Sequence, residues 1–156
     1  MTRLRHYASI LIPVFALAAP AGAQIKAPGE EGSRNVHVYS HVPLGKAYTI
    51  GDIEVEQELS RPYAYVMRTF GEAGFDLLNM KDPRRADVMY RFRIDHPELH
   101  LGIGGSDGHY AKYKGRYYFA VSMQFTQNGP DADLGAVVMD VTGLPDTSKI
   151  REGVGF

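Results

Sequence analysis

Three histidines, five glycines and a run of tyrosine with lysine and arginine fall between His96 and Phe119, in HPELHLGIGGSDGHYAKYKGRYYF. Each of these residue types could do chemistry. His96 and His100 stand four residues apart, the spacing by which a helix aims two imidazoles at one zinc ion. On a strand the same spacing separates them by roughly 13 Å, so they would share a face but not an ion. Asp107 and His109 complete a set only if the stretch folds back on itself. His37 and His41, in NVHVYSHV, meet the same objection. No HExxH supplies a catalytic base beside two ligands. The histidines read as loop and strand-surface residues, and no metal ligand is assigned.

The glycines at 102, 104, 105 and 108 suggest a phosphate cradle. Such a cradle needs a strand before it and a helix after it, so that the helix N-terminus meets the phosphate. Here HYAKYKGRYYF follows, which reads as strand, and the Gly-Lys-Ser/Thr of a Walker loop is missing. Ser106 lacks the strand-to-helix frame of a nucleophile elbow. Asp107 and His109 are its neighbours along the chain, which does not make a triad. Asp95 and Glu98 are a carboxylate pair in sequence only. No catalytic residue and no cofactor is assigned.

The basic-aromatic cluster is the strongest candidate for a ligand or partner surface. Tyr110, Lys112, Tyr113, Lys114, Arg116 and Tyr118 offer rings for stacking and cations for an anionic glycan or polyphosphate. The structural alternative is a hairpin arm whose lysines discourage edge-to-edge pairing. Leu99 to Arg116 as a whole reads as a long, mobile hairpin connection. Its glycines resist ordering, and long loops add only slowly to closure entropy, so the segment is expected to be dispensable for folding.

The elements that must position this stretch begin with an expected export signal. Arg3, Arg5 and His6 form a basic start, ILIPVFALAA (Ile10 to Ala19) an apolar core too short to span a bilayer, and Ala21-Gly22-Ala23 a small-residue cleavage site. Cleavage after Ala23 predicts a periplasmic or secreted chain. The chain has 17 basic and 18 acidic residues; the leader removes two basic ones, leaving a net charge of −3. That is not the basic surplus of a nucleic-acid binder. Without cysteine there is no disulfide, no thiolate nucleophile and no lipid anchor. No second long apolar run is available to span a membrane.

Residues 24–35 read as a polar, flexible lead-in, 36–141 as one domain and 142–156 as a C-terminal tail. NVHVYSHV alternates as a strand, and KAYTI is a second short extended piece. Val55, Leu59, Tyr63, Val66, Phe70 and Ala73 recur at helical period, which predicts a helix capped by Asp52, interrupted by Pro62 and stopped at Gly74-Phe75. ADVMYRFRID, RYYFAVSMQF and LGAVVMDV (Leu134 to Val141) read as strands, with a turn at Asn128-Gly129-Pro130. The order strand-helix-strand-strand-strand predicts an α+β two-layer sandwich. A mostly antiparallel sheet of about four strands would carry one main helix on its apolar face. A right-handed crossover would set the first strand parallel to the Ala86 strand. The predicted interface is Val66, Phe70, Val88, Tyr90, Phe92, Ile94, Phe119, Val121 and Met123.

In PYAYVMRTFGEAGFDLLNMKDPRRADVMYRFRID, Gly74-Phe75 would end a helix about a dozen residues before Ala86-Asp87 opens a strand. With KAYTI ahead and GAVVMDV behind, this layout resembles the small bacterial envelope proteins grouped as domain of unknown function forty-one thirty-six, over roughly Val36 to Val141. The resemblance implies a periplasmic protein with no established activity. Members usually carry a lipidation cysteine and often a tryptophan-bearing end; this chain has AGAQ and no tryptophan. The functional expectation is a non-catalytic module that binds an envelope protein or anionic glycan. A histidine-bearing metal-binding protein and, less favoured, a small hydrolase are the alternatives.

Overall fold

The computed structural model describes residue 30 and residues 32–46, 49–100, 102–125 and 135–153. The expected leader, most of the lead-in and the Asn128-Gly129 turn lie outside the described residues. Strands β1 (Gly32–Ser33) and β2 (Val36–His37) form a small antiparallel ribbon of their own. Strands β3 (Ile50–Val55), β4 (Tyr63–Arg68), β5 (Gly74–Asn79) and β6 (Asp87–Arg93) run up and down in one antiparallel sheet. Strands β7 (Gly104–Tyr113), β8 (Arg116–Gln124), β9 (Gly135–Asp140) and β10 (Arg151–Glu152) do the same in a second. The only helical turns among the described residues are two short 3₁₀ turns, Pro83–Arg85 and Thr147–Lys149. None of them is long and apolar enough to cross a membrane.

The predicted α+β sandwich with one main helix is therefore wrong. The described chain is nearly all β, and the expected parallel crossover is missing because β2 pairs only with β1. The cause lies in β4, where six consecutive residues, Tyr63 to Arg68, are buried. Tyr63, Tyr65 and Met67 face the other sheet. Ala64 and Val66 face outward, beneath Val42, Leu44 and Met80. A strand covered on both faces carries a continuous apolar run, which periodicity cannot separate from a buried helix. Three members of the supposed helical stripe never enter the core: Val55, Leu59 and Phe70 are exposed.

Gly74 was expected to end that helix. It opens β5 instead, at φ +145°, where a β-carbon would lie 2.2 Å from the carbonyl oxygen of Phe92 on β6. The glycine is needed because two strands approach closely.

The core lies between the sheets. Tyr65 of β4 stacks on Phe119 of β8 at 3.9 Å, and Phe75 of β5 meets Phe119 edge-on at 4.9 Å. Phe119, Val121 and Met123 are buried there as expected, with Tyr90, Phe92 and Ile94 packed against them. Val66 and Val88 belong to the outer cluster, and Phe70 is exposed. The outer face of the first sheet also holds a charge cluster. Arg68 and Asp76 are fully buried, with Arg68 Nε 3.7 Å from Asp76 Oδ2 and Arg93 Nη2 2.5 Å from Asp76 Oδ1. Arg68 also pairs with Glu72.

The expected mobile connection from Leu99 to Arg116 is another correction. Ten of its residues are β7, paired with β8 along its length but for an irregularity at Ser106. Its glycines sit where this strand crosses others. A β-carbon on Gly108 would meet Phe119 Cζ at 2.6 Å and Met67 Sδ at 2.8 Å. Glycine supplies closeness here rather than freedom.

Candidate functional site

Strand directions gather four connections at one end of the sandwich: residues 56–62, 80–86, 114–115 and 141–150. The basic-aromatic cluster lies at this end, on the β7–β8 hairpin. Lys114 (φ 47°) and Gly115 (φ 76°) form its two-residue turn, and both need the left-handed region, as tight hairpin turns of this kind do.

The hairpin divides the predicted residues between two faces. The pairs Tyr110 with Phe119 and Lys112 with Tyr117 set Tyr110 and Lys112 on the face toward the first sheet. The pairs Ala111 with Tyr118 and Tyr113 with Arg116 set the others on the outer face. Tyr118 is buried there, while Tyr113 is 55% exposed.

The inward pair meets residues that sequence reasoning missed. Lys112 Nζ lies 2.7 Å from Glu58 Oε1, and the Tyr117 hydroxyl donates to Glu58 Oε2 at 2.8 Å. The hydrogen bond from Lys112 holds the Glu58 carboxyl below its ordinary range, with Tyr117 adding to it. The same bond raises the Lys112 ammonium. Deeper in, the buried carboxylate of Glu56 accepts from Arg61 Nε at 2.5 Å, Arg61 Nη2 at 3.1 Å and the Tyr65 hydroxyl at 2.6 Å. Burial, then the charge of Glu56, raises the Tyr65 phenol. Arg61 also donates to the Val141 carbonyl at 3.0 Å and lies 3.9 Å from the Tyr117 ring centre.

These contacts tie the 56–62 connection to the hairpin and to the start of the 141–150 segment. The hydrogen-bonded turn from Glu58 to Arg61 leaves Leu59 fully exposed at its tip.

The outward set is partly neutralised. Arg116 pairs with Asp140, whose side chain also accepts from the Thr142 amide at 2.9 Å. Burial pushes the Asp140 carboxyl up, but bonds from Thr142 and Arg116 outweigh it and hold it low. Lys114 has its ammonium 5.0 Å from the Tyr113 ring centre.

The described histidines do not converge. His96 Nδ1 is 3.2 Å from Glu98, and His109 Nε2 is 3.6 Å from Asp107. His37 lies on the β1–β2 ribbon and His41 in an exposed stretch. Among the described residues no three His, Cys, Asp or Glu side chains are grouped to hold a metal ion. The Ser106 hydroxyl lies 3.1 Å from that of Ser122.

Glu56, Glu58 and Arg61 fall within the stretch that the apolar period assigned to a helix, and that assignment singled out none of them. Once Val55 is seen to pair with Ala64, with the Glu56 amide donating to the Tyr63 carbonyl, EQELSR becomes part of a hairpin turn. No family model, curated protein or solved structure matches the chain.

Proposed function

We propose that this is an exported, non-catalytic binding module that meets an envelope protein or anionic glycan through the hairpin end of its sandwich. The observation that carries the reading is the bracing of that end. Two carboxylates, Glu56 and Glu58, tie Arg61, Tyr65, Lys112 and Tyr117 into one network beneath exposed tips at Leu59 and Tyr113. Contact residues held by a rigid scaffold lose little freedom on binding. Because Lys112 and Arg116 already face carboxylates, the contacts fall to Tyr113, Lys114 and Leu59. Export after Ala23 supplies the compartment. The likeness to the envelope proteins of unknown function belongs to the same proposal; of its two marks, Ala86-Asp87 leads into β6, while Gly74-Phe75 opens β5 instead of ending a helix.

In-cell photo-crosslinking tests this. A crosslinker at Tyr113 or Leu59 should trap a defined envelope component, and one at Arg91, an exposed position on β6, should not. Equal or absent adducts at all three positions would refute the reading.

A further inference from the structure

We infer that a groove beside the hairpin end is a saccharide-binding site, formed by two adjoining clefts that share Asn79 and Lys81. The inference deepens the proposed function and rests on it for one thing, that glycans surround the protein. It shares Leu59 with the hairpin end but uses neither Tyr113 nor Lys114.

The first cleft, about 380 Å³, has an apolar shelf of Leu59, Pro62, Tyr63 and Pro145 above Asn79 and Lys81. The second, about 600 Å³, is polar and continues past Asp82 and Arg85 to Asp87. Both fall within the size range of small-molecule sites.

The chemistry of the groove selects its occupant. Lys81 and Arg85 offer donors, and Asp82 and Asp87 offer acceptors. All four are exposed, and among the described residues none of them makes an ion pair. Asn79 Oδ1 accepts the Lys81 amide at 3.0 Å, which leaves its side-chain nitrogen to donate. Asp82 Oδ1 caps the following turn through the Arg84 amide at 3.0 Å, which leaves its second oxygen. Two positive and two negative groups give no surplus for a polyanion. Donors and acceptors mixed along a wall, beside an apolar shelf, match a molecule with hydroxyls on its edges and C–H groups on its faces. An oligosaccharide has both, and the paired clefts suit more than one ring. A nucleic acid or a polyphosphate would need uncompensated positive charge.

The full mature chain should be applied to an array of immobilised bacterial glycans, at low and at high salt. Wild-type protein should bind a subset of them with little salt dependence, because the groove is charge-balanced. Lys81→Ala and Arg85→Ala should each weaken binding roughly tenfold, the scale of one lost hydrogen bond from a charged group. Their melting temperatures should not move, and Arg91→Ala, at an exposed position on β6 outside both clefts, should leave glycan binding intact. Absence of any glycan binding by the wild type would overturn the inference while leaving the hairpin surface open to a protein partner. Glycan binding that survives both groove variants but is lost in Tyr113→Ala, or that falls with salt, would also overturn it and move the contact to the hairpin.

Discussion

Gly108→Ala decides whether the glycine-rich stretch is architecture or connection. The new methyl would lie 2.6 and 2.9 Å from two ring carbons of Phe119 and 2.8 Å from Met67 Sδ. Neither neighbour has room to retreat. Both are fully buried, and Phe119 is clamped between Tyr65, stacked at 3.9 Å, and Phe75, edge-on at 4.9 Å. Overpacking of this kind costs about 1–3 kcal/mol. Loss of glycine freedom in the unfolded chain returns about 0.4–1 kcal/mol. At the middle of each range, about 2 less about 0.7, the net destabilisation is about 1.3 kcal/mol, a drop in Tm of about 4–7 °C for a domain of this size. Thermal unfolding followed by circular dichroism measures it, with Gly135→Ala as the control. A β-carbon at Gly135 meets nothing within 4 Å, so that variant should melt at or slightly above the wild-type temperature. If Gly108→Ala melts with the wild type, β7 does not pack as described. The same holds if a chain with residues 99–116 replaced by a two-residue turn folds normally.

Asp76→Ala should cost about 3–5 kcal/mol in denaturant titration, because it removes the buried carboxylate between Arg68 and Arg93 and leaves the buried Arg68 guanidinium with Glu72 alone. Phe119→Ala should cost about 3–5 kcal/mol, since it removes a buried ring that stacks across both sheets. Tyr113→Ala, at an exposed hairpin position, should stay within about 0.5 kcal/mol of wild type in the same titration. Glu58, Glu72 and Asp140 all have carboxyls held below their ordinary range in the fold. Their contribution to stability is present above the ordinary carboxylate pKa of about 4 and is lost as pH falls through the depressed folded values. Melting temperature should therefore fall on acidification below about pH 4, and Glu58→Gln should make that fall shallower.

Some of the fold was legible without coordinates. The alternation in RYYFAVSMQF set Phe119, Val121 and Met123 inward, and the sandwich keeps them there. ADVMYRFRID was a strand by the same rule and is β6. Period two survives translation into structure when one face of a strand is buried and the other is not. The candidate surface was legible as residue types: Tyr113 and Lys114 do stand at a hairpin tip.

What failed had a common cause, since it depended on what lies across from a residue. YAYVMR lacks alternation because Val42 and Leu44 cover its second face, and nothing in those six residues announces a cover contributed from twenty residues earlier. The glycines of GIGGSDG look the same in a loop and at a crossing, and only the position of Phe119, Met67 and the β5 backbone distinguishes them. Lys112 reads as a free cation until Glu58, fifty-four residues away in sequence, is found 2.7 Å from it. By itself the sequence determined residue types, strand-forming propensity and the inward face of half-buried strands, which are local properties of side chains and backbone. The tertiary structure alone decided the second covered face, the close approaches that require glycine and the charges cancelled from a distance, because burial and pairing are relations between segments that the chain brings together only by folding.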